Sequence, residues 1–361
     1  MSGVAEIREL AARELLPHAG GKSGRINRPL LQAMGAHGLL AQLFPASGQA
    51  SATALCRLRE GLAQVSTEAE TALALQGLGG YPILASATPP VRTQWTGPIT
   101  AGQAAVGFAL SEAAAGSDVA AMSLRASRER DGWRLDGEKT WISNAPEADV
   151  YSVFARTSAE GASGVTGFVV AGTAAGLSGT RLDMLSPHAI GTLRFDGVHV
   201  PDNAVLGEVG GGFAVAMRTL DMFRPSVGAF AVGMAQAALD ASVAWAGSRE
   251  AFGAPLRKMQ SVAHNLAEMA TRTEAARLMV YAAAAAYDRG DADVTKRSAM
   301  AKLFATENAQ WVIDAAVQLH GARGVQRGHL LEHLYREVRA TRIYEGASEV
   351  QRSIIARELY R

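Results

Sequence analysis

The chain of 361 residues is 48% hydrophobic and 19% charged, with Lys+Arg 35 against Asp+Glu 34. One hydrophobic core rarely grows past roughly 250–300 residues, so two or more domains are expected. A formal net charge of +1 offers neither nucleic acid nor an anionic membrane a clustered positive field. The single cysteine, Cys56, has no internal disulfide partner, and the Met1 to Leu16 segment mixes Glu and Arg among apolar residues, unlike a secretory signal. The most apolar run, Leu278 to Tyr287, is about half of the roughly 20 residues that span a bilayer, so a cytoplasmic protein is expected.

Residues 1 to about 100 read as helices. Leu55, Leu58, Leu62 and Val65 recur at i, i+3, i+7 and i+10, one face of a 3.6-residue period. The Pro- and Gly-bearing run from Pro89 to Gly102 interrupts that pattern and marks an expected boundary. From about 103 to 207 short β-like runs replace the helical period. Trp133 and Leu135 alternate up to Asp136-Gly137, a hairpin dipeptide, and Leu193 and Phe195 alternate up to Asp196-Gly197. Pro201 ends the last long strand, because it cannot donate to a ladder. Beyond 208 the helical period returns, with one stripe through Val262, Leu266, Met269, Ala276 and Val280 and another through Met300, Phe304, Trp311 and Ala315. Gly321 stands where a glycine would end the second of these helices. The expected architecture is α+β: a helical domain over 1–102, an antiparallel β-barrel or sheet over 103–207, and a four-helix-bundle-like domain over 208–361.

Several short motifs fail on context. Gly21-Lys22-Ser23 lacks the earlier glycine of a phosphate loop, Leu16 standing in its place. Gly207 to Gly212 is rich in glycine but follows no strand of a dinucleotide-binding unit, and reads as a loop ending in a helix start. His329 and His333 fit the written form of an inverted zinc-protease motif, yet no third ligand is nominated, so no metal is expected. No Gly-x-Ser-x-Gly elbow is present.

Three other segments carry more. The run from Ala109 to Asp118 places hydroxyls and glycine backbone together at the entry to the β-region. Trp141-Ile142-Ser143-Asn144 sets a Trp beside a small hydroxyl, a pairing suited to a flat aromatic cofactor. The chain closes on Arg342-Ile343-Tyr344-Glu345-Gly346-Ala347-Ser348-Glu349-Val350-Gln351-Arg352. In order and spacing these segments resemble the acyl-CoA dehydrogenase family, the first matching its N-terminal signature from Ala109 to Ala121, and the resemblance runs from about Leu39 to Arg361. A second signature fits at Gln318, Gly321, Gly324, Arg336 and Glu337 and departs at Ala322, Gly328 and His333.

The resemblance implies FAD and a homo-oligomer, tetramer or dimer. Phe108, Leu110, Ser111, Gly116, Ser117, Trp141, Ile142 and Ser143 would line the cofactor, with Ala347 and Glu349 also near it. From a neighbouring subunit Arg249, Phe252, Gln260, Gln318, Gly321 and Ala322 would hold its far end, the guanidinium suiting a pyrophosphate. Ser117, Asp221, Arg224, Gly346 and Ala74 would border the substrate, and the small Ala74 leaves room for a bulky or branched acyl group. Glu345 would remove the α-proton of an acyl thioester while the flavin takes the β-hydride, giving a trans-2-enoyl thioester from acyl-CoA. Phe223 occupies the position where some relatives place the base instead. Electron-transfer flavoprotein is the implied acceptor. A carrier-protein thioester, a flavin monooxygenase reaction on the same fold, and a catalytically idle binding subunit are the alternatives.

Overall fold

A computed structural model describes residues 3–45, 50–159 and 161–360. The α-helices α1 Val4–Leu10, α2 Arg28–Ala36, α3 Leu39–Leu43, α4 Ala52–Ala63, α5 Thr67–Ser86 and α6 Pro89–Thr100 come first. Eight strands follow: β1 Val106–Ala109, β2 Arg125–Glu129, β3 Gly132–Ser143, β4 Val150–Arg156, β5 Val165–Ala171, β6 Leu177–Arg181, β7 Ile190–Pro201 and β8 Val205–Leu206. After α7 Gly212–Ser248 and a short hairpin, β9 Glu250–Ala251 with β10 Ala254–Pro255, the chain closes with α8 Gln260–Arg289, α9 Val294–His320, α10 Leu330–Thr341 and α11 Ser348–Leu359. The helix–sheet–helix order read from the sequence is the order found.

The expected break at 89–102 is a helix instead. Pro89 and Pro90 occupy its first turn, where a missing N–H costs nothing and a fixed φ suits the helix, although Pro98 sits inside it. By internal packing the chain divides into two compact units, residues 13–50 with 71–220, and residues 1–12, 51–70 and 221–361, so the N-terminal helices are shared between them.

The first unit is built on the sheet, ordered β6-β7-β3-β2-β4-β5-β8 with β1 beside β4. Its pairing is antiparallel except where β4 runs parallel to β1 and, at one residue pair, to β2. Asp136-Gly137 is not a hairpin turn. It lies inside β3 at a register shift against β7, and the turn falls earlier, between Glu129 and Gly132. Asp196-Gly197 likewise lies within β7, and the Gly197 amide donates to Asp136 Oδ1 at 2.9 Å. Both glycines take positive φ, which here serves a bulge rather than a turn. Gln76, fully buried on α5, ties that helix to the sheet. Its Nε2 donates to the Ala104 carbonyl at 2.9 Å and its Oε1 accepts from the Val106 amide at 2.9 Å.

The second unit is helical. Leu55, Leu58 and Leu62 of α4 are buried as their spacing predicts. On α9 the buried face is the small-residue one, Ala301, Ala305, Ala309 and Ala316 with Val312 and Ile313, whereas the predicted stripe of larger residues lies off it and Met300 is exposed. Small side chains win because helix backbones can then approach closely. At Gly228 of α7 a Cβ would stand 2.6 Å from Val280 and 3.3 Å from Ala305. Among the described residues the one helix long and apolar enough to span a bilayer is α7 rather than the Leu278 to Tyr287 run, and most of its apolar stretch is buried inside the protein.

Gln76→Leu should therefore lower the unfolding temperature measured by calorimetry. It leaves a buried amide and carbonyl unpaired at about 1–3 kcal/mol each. An unchanged transition would show that the helix–sheet tie carries no stability.

Candidate active site

The loop joining α10 to α11 is where the C-terminal motif falls. Glu345 has φ 51° and Gly346 has φ 95°. A left-handed conformation costs a non-glycine residue roughly 1–3 kcal/mol and persists only when its surroundings impose it. Here Lys302 Nζ donates to the Gly346 carbonyl at 2.8 Å, and Gln351 Nε2 donates to the same oxygen at 2.9 Å. Below the turn, Ser348 Oγ donates to Glu307 Oε1 at 2.6 Å, and Arg342 pairs with the other oxygen of Glu307 at 2.8 Å.

Burial and charge then act on the carboxyl itself. Glu345 Oε2 is enclosed and has no hydrogen-bond partner among the described residues. Burial raises the Glu345 pKa above the usual carboxylate range, with Arg59, Lys302 and Arg224 pulling the other way. Arg59 is 2% exposed, ion-paired to the fully buried Glu70 and donating to Ser226 Oγ at 2.8 Å. Burial works against its charge, but Glu70 and Glu345 more than offset that and raise its pKa. Arg224 meets Asp221 at 2.5 Å one turn along α7; burial lowers the pKa of the first and raises that of the second. Phe223 is buried on the same helix, and no carboxylate stands at its position. Asp221, Arg224, Glu345 and Gly346 are thus brought into one helical unit. Ala347 caps α11 without a side-chain bond, and Glu349 is exposed, facing Arg352 at 3.3 Å.

In the sheet-based unit, the Ala109 to Asp118 run and the Trp141 segment are zipped together. Ser111 Oγ donates to the Thr140 carbonyl at 2.8 Å, and the Thr140 amide returns to Ser111 at 3.1 Å. Beneath them lies a buried ion pair that the sequence reading missed. Lys139 Nζ reaches Glu112 Oε1 and the Leu110 carbonyl, each at 2.8 Å, and Glu112 accepts from the Ser123 and Leu124 amides at 2.6 and 2.9 Å. Burial lowers the Lys139 pKa to about 8 despite Glu112. On this platform Trp141 has φ 55° and is 49% exposed, Ile142 is buried, and the half-buried Ser143 hydroxyl has no partner among the described residues. Phe108 packs on Phe154 at 5.1 Å between ring centres, Leu110 is buried, and Gly116 and Ser117 are exposed. Ala74 is buried on α5.

Arg249, Phe252, Gln260, Gln318, Gly321 and Ala322 all lie exposed on the helical unit. Phe252 is 98% exposed at φ 53°, an aromatic ring held out in a strained turn. Trp245, also missed, is the hub beside them: Arg249 lies 5.9 Å and Arg323 5.4 Å from its ring centre, and His320 stacks on it at 5.3 Å. The tempting histidine pair divides. His329 Nδ1 caps α10 through the Leu331 amide, whereas His333 Nε2 is 2.6 Å from Thr67 Oγ1.

The sheet-based unit thus carries an exposed indole beside a small hydroxyl, and the helical unit a carboxyl group with one enclosed oxygen facing three cations. Comparison with known proteins names the class. The acyl-CoA dehydrogenase N-terminal, middle and C-terminal domain models match residues 4–103, 107–198 and 210–360, and the chain belongs to the acyl-CoA dehydrogenase family, FAD-dependent oxidoreductases. It is 38% identical to the Mycobacterium leprae protein named "Probable acyl-CoA dehydrogenase fadE25", across 99% of this chain and 94% of that one. It is also 38% identical to the mitochondrial short-chain specific acyl-CoA dehydrogenase of Mus musculus, across 98% and 88%. The solved butyryl-CoA dehydrogenase of Megasphaera elsdenii superimposes with a TM-score of 0.93 at 30% identity, covering 100% of this chain and 99% of that one.

The buried charges make Arg59 a sharp test. Arg59→Met strands the Glu70 carboxylate and should cost about 3–5 kcal/mol, whereas Arg59→Met with Glu70→Leu should recover most of it. Equal thermal unfolding of the wild type and the single variant would refute that pairing.

Proposed function

We propose that this enzyme dehydrogenates an acyl-CoA between Cα and Cβ, with Glu345 as the base that removes the α-proton. The observation that carries this reading is the enclosed, unpartnered Oε2 of Glu345, held in a left-handed turn among Arg59, Lys302 and Arg224. An α-proton next to a thioester is weakly acidic. Its removal needs a base whose pKa lies nearer the working pH and donors that hold the carbonyl oxygen as charge develops there. Burial supplies the first at Glu345, and in the family pattern the amide of residue 345 supplies part of the second. Because the base acts ionised, activity is full above the raised Glu345 pKa and falls as pH drops through it.

FAD, when bound, supplies the hydride acceptor. The residues present fit it: the exposed Trp141 indole and free Ser143 hydroxyl suit a ring system, and the Lys139–Glu112 pair keeps both segments in register. The Arg249 and Arg323 guanidiniums beside Trp245 suit a pyrophosphate and an adenine offered by a neighbouring subunit. Ser117, Asp221, Arg224 and Gly346 would border the thioester, and Ala74 the acyl chain. Electron-transfer flavoprotein is the proposed acceptor, a homo-oligomer the proposed assembly and the cytoplasm the proposed location.

Purified protein should carry one flavin per chain and elute from gel filtration as an oligomer. A flavin-saturated monomer would remove the cross-subunit role of Arg249 and Gln318.

Glu345→Gln keeps size and backbone and deletes only the proton acceptor. Anaerobic stopped-flow mixing with straight-chain and branched acyl-CoAs, and with the same acyl groups on a carrier protein, should show flavin bleaching at least about 10³-fold slower, roughly 4 kcal/mol of transition-state stabilisation. Near-wild-type bleaching would mean that Glu345 is not the base.

A further inference from the structure

Two lysines are fully buried among the described residues, Lys139 and Lys302. Lys139 has an obvious reason to be there, since Glu112 sits 2.8 Å from its ammonium. Lys302 has no such partner. It lies on the small-residue face of α9 between Ala301 and Ala305, makes no ion pair among the described residues, and donates its hydrogen bond to the Gly346 carbonyl at 2.8 Å. A buried charge without a paired carboxylate is costly, and folding alone would be served as well by Met or Leu at this position. The cost falls one residue from the proposed base.

We propose that Lys302 is the positioning residue for Glu345: its ammonium clamps the Gly346 carbonyl, fixing the left-handed turn that aims the Glu345 carboxylate, and its charge favours the ionised form of that carboxylate. This inference rests on the assignment of Glu345 as the base.

Three cations face Glu345, one each from α4, α7 and α9, and two are already engaged. Arg59 is held by Glu70 and Arg224 by Asp221. Lys302 alone brings a charge not committed to another carboxylate by direct pairing. The other charges that reach Lys302 are Arg224, Glu307 and Glu349, and of these Glu307 is engaged by Ser348 and Arg342. Gln351 shares the clamp. Its Nε2 donates to the Gly346 carbonyl at 2.9 Å and lies 3.4 Å from the Glu345 carbonyl, so the turn is gripped by one charged and one neutral donor. Burial lowers the Lys302 pKa to about 8, with Glu345 opposing the fall, so the ammonium form prevails at neutral pH and fades in alkali.

The test uses the holoenzyme and butyryl-CoA, or whichever acyl-CoA of the panel bleaches the wild-type flavin faster. Flavin reduction is followed from about pH 6 to about pH 9 for wild type, Lys302→Met, Lys302→Gln, Lys302→Arg and Glu345→Gln. Lys302→Met should reduce its flavin at least about tenfold more slowly near neutrality and move the acid limb upward by about one pH unit, because the carboxylate loses its uncommitted cation. Hydrogen exchange at the amides of residues 344–348 should quicken in the same variant. Lys302→Gln keeps a donor without the charge, so its limb should move while the turn stays protected; it also serves if Lys302→Met does not fold. Lys302→Arg should restore the limb. A Lys302→Met or Lys302→Gln enzyme with the wild-type limb, and a rate within threefold of wild type, overturns the inference while a dead Glu345→Gln leaves the base assignment standing. A fully active Glu345→Gln overturns both.

Discussion

A carboxyl group with one oxygen enclosed and lacking a hydrogen-bond partner among the described residues is the constraint from which the helical unit can be understood. Such a group is expensive to keep, and the protein offsets it with distant opposite charge instead of direct pairing. Direct pairing would hold Glu345 ionised but pull its pKa down and tie up its oxygens. Three cations at longer range leave the oxygens free and still limit the rise that burial causes. Each cation must in turn be housed, and this explains the Arg59–Glu70–Ser226 group, the Arg224–Asp221 pair and the lysine on the alanine face of α9.

The sheet-based unit solves a different problem with the same means. Ser111 and Trp141 come from separate segments, and their relative position is fixed by one main-chain bond and one Ser111 hydroxyl bond between residues 111 and 140 and by the Lys139–Glu112 pair beneath. That pair is directly bonded and fully satisfied. The contrast is one of closure: the Lys139–Glu112 pair is bonded directly, whereas Glu345 Oε2 has no hydrogen-bond partner among the described residues.

The layered order of helices, sheet and helices was legible because period changes in a sequence reflect which face is buried. Glu345, Trp141 and Ser111 were legible through motif resemblance, not through periodicity. Other features were hidden for physical reasons. Asp136-Gly137 and Asp196-Gly197 look like hairpin turns, but a glycine with positive φ serves a bulge equally well, and only the pairing of β3 with β7 decides. The larger apolar residues of α9 suggested the wrong face, because alanine scores poorly in any hydrophobic stripe and yet permits the closest approach of helices. Lys139 and Lys302 carried no signal, since nothing in one sequence reveals that a lysine is buried. Trp245 carried no motif at all.

Among the described residues, four that are not glycine take positive φ: Trp141, Asn144, Phe252 and Glu345. Three of them are the aromatic platform, the exposed aromatic of the hairpin turn and the proposed base. Glycine would relax each position, and a selection for thermal endurance alone would drift toward it. The fold therefore holds a reserve of unclaimed stability at the positions of the proposed base and of the two exposed aromatic rings. Each of these side chains is held at a conformational cost that folding alone does not require.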